Sequence, residues 1–128
     1  MAIHIVRLGS ARADDEGLRI GTVRRPPRGV PKERHAADDW YDVWLPELAP
    51  SAGLVKEALG AESMADWRRF TRKYRKEMSE PAAARLLDLL SALSHRTNFS
   101  VGCYCEEESR CHRSELRALL EERDALLA

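Results

Sequence analysis

The stretch Phe99-Ser-Val-Gly-Cys103-Tyr-Cys105-Glu-Glu-Glu-Ser-Arg-Cys111-His112-Arg113-Ser114 decides how the rest of the chain is read. Its first seven residues, FSVGCYC, are bounded by polar residues and centred on Val101, which predicts a strand. Beyond a short acidic loop, Leu116, Leu119, Leu120 and Leu127 mark a terminal helix that begins near Cys111. A strand reached through long helical segments cannot be half of a hairpin, so it lies parallel to a neighbour in an α/β sheet.

Upstream of this strand the apolar spacing is helical. Ser51 is placed to cap a helix over residues 52–59 that Gly60 closes. Ser63 opens a stronger helix, with Trp67, Phe70, Tyr74 and Met78 on one face and Arg68, Arg69, Arg72, Lys73, Arg75 and Lys76 around the rest. Pro81 suits a first helical position, followed by a stripe of Leu86, Leu89, Leu90 and Leu93. Further towards the N-terminus, residues 2–8 and 18–24 read as strands, and 41–45 as a third in which Tyr41, Val43 and Leu45 share a face. Between them, RRPPRGVPKE at 24–33 is a proline-stiffened loop in which Arg24, Arg25, Arg28 and Lys32 crowd together, with Arg34 just beyond. The order predicts a single α/β domain over residues 1–128, with a mostly parallel sheet of about four strands flanked by helices.

Length and composition agree. At 128 residues and 44% apolar content the chain suits one core, and 21 basic against 21 acidic side chains leave no net field to draw it to nucleic acid or membrane. No apolar run approaches the ~18 residues of a bilayer span, and the first residues lack a secretory pattern, so a cytoplasmic protein with no membrane partner is expected. The 3 cysteines lie close together, which argues against a secreted disulfide framework and for a local task.

That task has several chemical forms. In α/β sheets, binding sites lie beyond the carboxyl ends of the strands. The loop at 24–33 and the turn at 103–113 both follow strands, so neighbouring strands would bring arginines and thiols to one pocket. A helix beginning at Cys111-His112-Arg113 offers unpaired N–H groups and partial positive charge, which lower a thiol pKa and favour an anion. In this reading Cys103 or Cys111 is the thiolate and His112 relays a proton. Arg24, Arg28, Lys32, Arg113 and Ser114 hold an anionic small molecule or a nucleotide.

Cys103, Cys105, Cys111 and His112 also match a Cys₃His zinc set by type, although residues 103 and 105 would stand ~6.6 Å apart along an extended strand. A Cys105–Cys111 redox pair lacks the thioredoxin-like Cys-x-x-Cys spacing. A phosphatase loop would need arginine six positions after its cysteine, and for Cys103 and Cys105 those positions are Ser109 and Cys111. A nucleic-acid-binding module with structural cysteines, using the basic loop and the basic helix, is the reading from another class.

The chain resembles the DUF488 family, and within it the YeaO-like group. Three stretches carry the resemblance: Arg19-Ile-Gly-Thr-Val-Arg24-Arg-Pro-Pro27-Arg28-Gly29-Val-Pro-Lys32, the middle part Trp44-Leu-Pro-Glu47-Leu-Ala49-Pro50-Ser51 followed by Trp67-Arg-Arg-Phe70-Thr-Arg-Lys-Tyr74-Arg-Lys-Glu77, and Cys103-Tyr-Cys105 with Cys111-His112-Arg113. The resemblance implies an α/β domain in an intracellular setting and supports a two-segment site, without implying an activity. This chain carries Val23, Pro26 and Cys105 where the family pattern has Asp, Trp and an acidic residue, which shifts weight towards thiol or metal chemistry.

Overall fold

A computed structural model describes residues 1–128. Four strands, β1 (Ile3–Arg7), β2 (Leu18–Gly21), β3 (Val43–Trp44) and β4 (Phe99–Cys103), form one sheet in the order β1-β4-β2-β3. Every pairing is parallel, as expected of strands separated by crossovers. The last strand in the sequence is thus a central one, buried along its whole length. Ile3 stands opposite Phe99, and Arg7 opposite Cys103. On the other flank Gly21 stands opposite Gly102.

The four helices are α1 (Ala52–Leu59), α2 (Met64–Met78), α3 (Pro81–Leu93) and α4 (His112–Glu121). Ile3, Ile20, Phe99 and Val101 pack with residues from all four helices in the main core. Alternation along the strands sends Arg19, Gly21, Ser100 and Gly102 to the opposite face. There Tyr41 lies against Gly21, and Arg19, fully buried, binds both carboxylate oxygens of Glu16 and donates to the carbonyls of Ser10 and Asp39 at 2.9 and 2.8 Å.

In α2, Ser63 and Asp66 form a reciprocal capping box, and Phe70, Tyr74 and Met78 are buried at the expected helical spacing. Ser51 occupies the position before α1 without a side-chain cap, and its N–H donates to Glu77 at 2.8 Å.

Several expected boundaries move. β2 stops at Gly21, because the chain then turns towards α4. β3 is only two residues long, with Val43 and Trp44 both exposed, while Tyr41 is buried as an isolated plug rather than as part of an alternating strand. The buried stripe of α3 runs through Ala83, Leu87 and Leu90, leaving Leu89 outside. Leu127 is not helical: α4 ends at Glu121, Asp124 adopts φ 61, and Leu127 bridges in parallel to Ile3. The hydrogen bonds Ile3 N–H to Leu126 and Ala128 N–H to Ile3 cover the outer edge of β1 there.

Gly102 is where the sheet tolerates no side chain. A Cβ there would stand 2.6 Å from the Val6 carbonyl oxygen and 2.9 Å from Leu8 Cδ2. Gly102→Ala should therefore destabilise the fold by about 1–3 kcal/mol, measured by urea denaturation.

Candidate functional site

The site is built where β2 and β4, neighbours in the sheet, release their chains. The N–H and the hydroxyl of Thr22 both donate to the Gly102 carbonyl, at 2.9 and 3.0 Å. The carbonyl of Thr22 in turn accepts from Nε2 of His112 at 2.8 Å. The arginine-rich loop begins two residues after Thr22, so this bond ties it to the first residue of α4.

The result is one cleft of about 850 Å³. Arg24, Arg25 and Arg28 line it together with Cys103, Cys105 and His112. Leu8, Gly9, Trp40, Val55 and Leu59 contribute further walls. Gly9 adopts φ 90, and a Cβ on it would strike the Trp40 ring at 2.9 Å, so the close seat of that indole depends on glycine.

Not every expected residue faces the cleft. Arg24 lines it but commits its guanidinium to the carbonyls of Pro50, Pro46 and Ala49, at 2.9, 3.0 and 3.2 Å. It fastens the loop to the segment before α1, leaving Arg25 and Arg28 as the loop's exposed cations on the cleft, which exposed Arg7 also lines. Lys32, exposed in a short 3₁₀ turn, Ser114, whose hydroxyl donates to the Cys111 carbonyl at 2.9 Å, and buried Arg113 and Cys111 are not among the lining residues.

The three sulfurs converge because β4 ends at Cys103. Tyr104 pins the turn that follows: its carbonyl accepts from Arg7 Nε at 3.3 Å, and its hydroxyl donates to the Arg25 carbonyl at 2.8 Å. The sulfurs of Cys103 and Cys111 lie with the His112 imidazole within 4.8 Å of one another, and Cys105 lines the cleft with Cys103 and His112. All three thiols are free; Cys103 and Cys111 are buried and Cys105 is exposed.

These contacts divide the proton affinities. Cys105 is lowered well below the usual thiol range, first by hydrogen bonding from the Cys103 and Cys111 thiols, then, against its partial burial, by positive charge at His112 and Arg113. Cys103 is raised because its proton is shared with the other two sulfurs and because it is buried. For Cys111 the hydrogen bond from Cys103 favours the thiolate, but its own donation to Cys105 and its burial outweigh that and push it up to about 11. Of the two thiolate candidates read from the sequence, Cys103 and Cys111, both are buried, while Cys105 is exposed.

Arg113 explains part of the preference. It is buried, donates to the Cys105 carbonyl at 2.6 Å, forms no ion pair with a carboxylate and leaves its Nε without a partner. A buried guanidinium without a counter-charge favours negative charge in its surroundings.

His112 is also buried, and burial lowers its pKa to about 4 despite the opposing hydrogen bond to Thr22. A carbonyl only accepts, so Nε2 carries the proton and Nδ1 presents a lone pair. That lone pair lies 3.6 Å from Cys111 Sγ. The thiol of Cys111 therefore has His112 Nδ1 as an acceptor.

The same geometry suits a soft metal ion. The ligand atoms of Cys103, Cys111 and His112 lie within 4.8 Å of one another, and the Thr22 carbonyl orients the imidazole as second ligand shells do. On α2, by contrast, Arg69 pairs with Asp66, Lys73 with Glu57, and Arg75 with Glu115 and Glu122, so half of its basic side chains are engaged with carboxylates.

A family profile described as the active DUF488-N3 subclade matches residues 3–124. The chain belongs to the DUF488 family. No curated protein and no solved structure matches it. In this DUF488 protein no helix is long and apolar enough to cross a membrane.

The depressed His112 pKa has a sign that can be checked. The unfolded chain takes up the imidazole proton near pH 6.5 and the folded protein only near about 4. The stability from keeping this ring neutral is therefore complete above about pH 6.5 and is lost as the pH falls towards about 4. The loss should be on the order of 3 kcal/mol, and His112→Asn should flatten this part of the stability profile in urea titrations.

Proposed function

We propose that this DUF488 protein binds a phosphate-bearing or other anionic ligand in the cleft and acts on it as a thiol-dependent enzyme. The observation that carries the reading is the shared cleft: exposed guanidinium groups and an exposed thiol favoured as thiolate face the same space. Arg25 and Arg28 hold the anion, since guanidinium groups form forked, charge-assisted hydrogen bonds to phosphate and carboxylate. Cys105 is the nucleophile. His112, held by Thr22, relays protons through Cys111. Arg24 supports the reading indirectly, by fixing the loop that presents its neighbours.

The description of the matching subclade as active agrees with an enzyme. Concavity favours a small ligand over a nucleic-acid strand: the arginines surround a cleft, while much of the charge on α2 is matched by carboxylates. A strand would need a continuous basic track.

Alkylation tests the proposal. Iodoacetamide at neutral pH should modify Cys105 at least tenfold faster than Cys103 or Cys111, as read by peptide mass mapping. Inorganic phosphate or a nucleoside phosphate should slow the reaction, and Arg28→Ala should weaken that protection. Equal, slow modification of all three thiols, or protection unaffected by Arg28→Ala, would count against it. Retardation of single-stranded nucleic acid at low salt without protection of Cys105 would support the nucleic-acid reading instead.

A further inference from the structure

Three side chains at the end of β4 bring soft donor atoms to one point. The sulfurs of Cys103 and Cys111 and a ring nitrogen of His112 lie within 4.8 Å of one another. Donors held ~2.0–2.3 Å from a tetrahedral ion stand about 3.5–3.8 Å apart. The 3.6 Å between Cys111 Sγ and Nδ1 of His112 already has that length. The imidazole also presents the right nitrogen. Nε2 donates to the Thr22 carbonyl at 2.8 Å, so Nδ1 keeps its lone pair towards the sulfur, and the Tyr74 ring packs against the imidazole with centroids 5.5 Å apart. Each donor hangs from fixed backbone. Cys103 is the last residue of β4, and its carbonyl accepts from Leu8 N–H at 2.8 Å. The N–H of Cys111 donates to the Glu108 carbonyl at 3.1 Å, and its carbonyl accepts from the Ser114 hydroxyl at 2.9 Å. Little ordering is left for an arriving ion to impose, which favours binding. Cys103 and Cys111 pack among Leu8, Val23 and Tyr41. A divalent ion with two thiolates is a neutral unit, and apolar surroundings accept that far more readily than either charge alone. Cys103 and His112 line the cleft, so one side of the group faces open space.

We propose that Cys103, Cys111 and His112 form a zinc site with three protein ligands and a fourth position open to the cleft. Thiolate and imidazole donors select zinc over the hard cations calcium and magnesium, which take oxygen. On binding, the two thiols release two protons to solvent, and lone pairs of both sulfurs and of Nδ1 enter the coordination shell. A water molecule completes the shell from the cleft. That open position leaves the ion within reach of chelators, so loading is reversible. The inference goes beyond the proposed function and does not depend on anion binding. Zinc takes the Nδ1 lone pair and the Cys111 sulfur through which the proposed relay runs, so the loaded protein and the thiol-dependent enzyme are alternative states, and zinc inhibits the second.

The experiment uses the full chain, reduced and freed of metal by dialysis against a chelator, with cobalt(II) as a coloured probe. One cobalt ion per chain should produce the near-ultraviolet sulfur-to-metal charge-transfer band and the intense visible bands of a tetrahedral site, and zinc should bleach both. X-ray absorption of the zinc-loaded protein should show two sulfur neighbours at ~2.3 Å and nitrogen or oxygen at ~2.0–2.1 Å. Cys103→Ser and Cys111→Ser should each weaken cobalt binding at least ~100-fold, while Cys105→Ser should weaken it less than ~10-fold, with circular dichroism confirming each fold. The X-ray spectrum requires no variant, so it decides the matter even where a substitution unfolds the chain. Absence of the charge-transfer band at saturating cobalt, a zinc shell with any other number of sulfurs, or loss of binding in Cys105→Ser with retention in Cys111→Ser would overturn the proposal. Phosphate protection of Cys105 in the metal-free protein bears on the ligand reading alone.

Discussion

A single hydrogen bond, from Nε2 of His112 to the carbonyl of Thr22, organises the end of the sheet. It joins the residue where β2 becomes the arginine-rich loop to the residue where α4 begins. It also fixes which imidazole nitrogen is bare. Because Thr22 is itself anchored through its N–H and hydroxyl to Gly102, the ring is referenced to the centre of the sheet rather than to a loop. The guanidinium groups and the thiols therefore share a cleft through backbone geometry, with no direct contact between them.

Two buried arginines show contrasting solutions to the same electrostatic problem. Arg19 is enclosed beneath loops but fully served, by a forked pair with Glu16 and by two carbonyls. It behaves as a rivet between β2 and the loops beneath it. Arg113 has one carbonyl, an orphaned Nε and no carboxylate. Charge left so poorly matched inside a protein raises the affinity of its surroundings for negative charge. The sulfur nearest the open cleft is the group placed to answer it.

The sequence made the architecture legible where periodicity and punctuation agree. The strand at Val101, the capped helix carrying Phe70 and Tyr74, and the loop of three prolines were all readable, and long crossovers implied parallel pairing. What was not legible depended on partners distant in sequence. Nothing local says that β4 enters between β1 and β2, that Tyr41 fills the space over Gly21, or that Arg24 turns back onto Pro46, Ala49 and Pro50. The gathering of Cys103 with Cys111 and His112 was not legible for the same reason, since it depends on β4 ending at Cys103 and α4 beginning beside it. Leu127 looked helical by spacing alone, and only the reversal at Asp124 returns it to Ile3.

That returning tail has a practical meaning for the behaviour of the molecule in concentrated solution. Open β-ribbon borders act as templates on which other chains can add. Here one border is already occupied by the chain's own last residues, and the opposite one, Val43–Trp44, offers only two. Self-association by strand addition thus lacks a long docking rail on either flank.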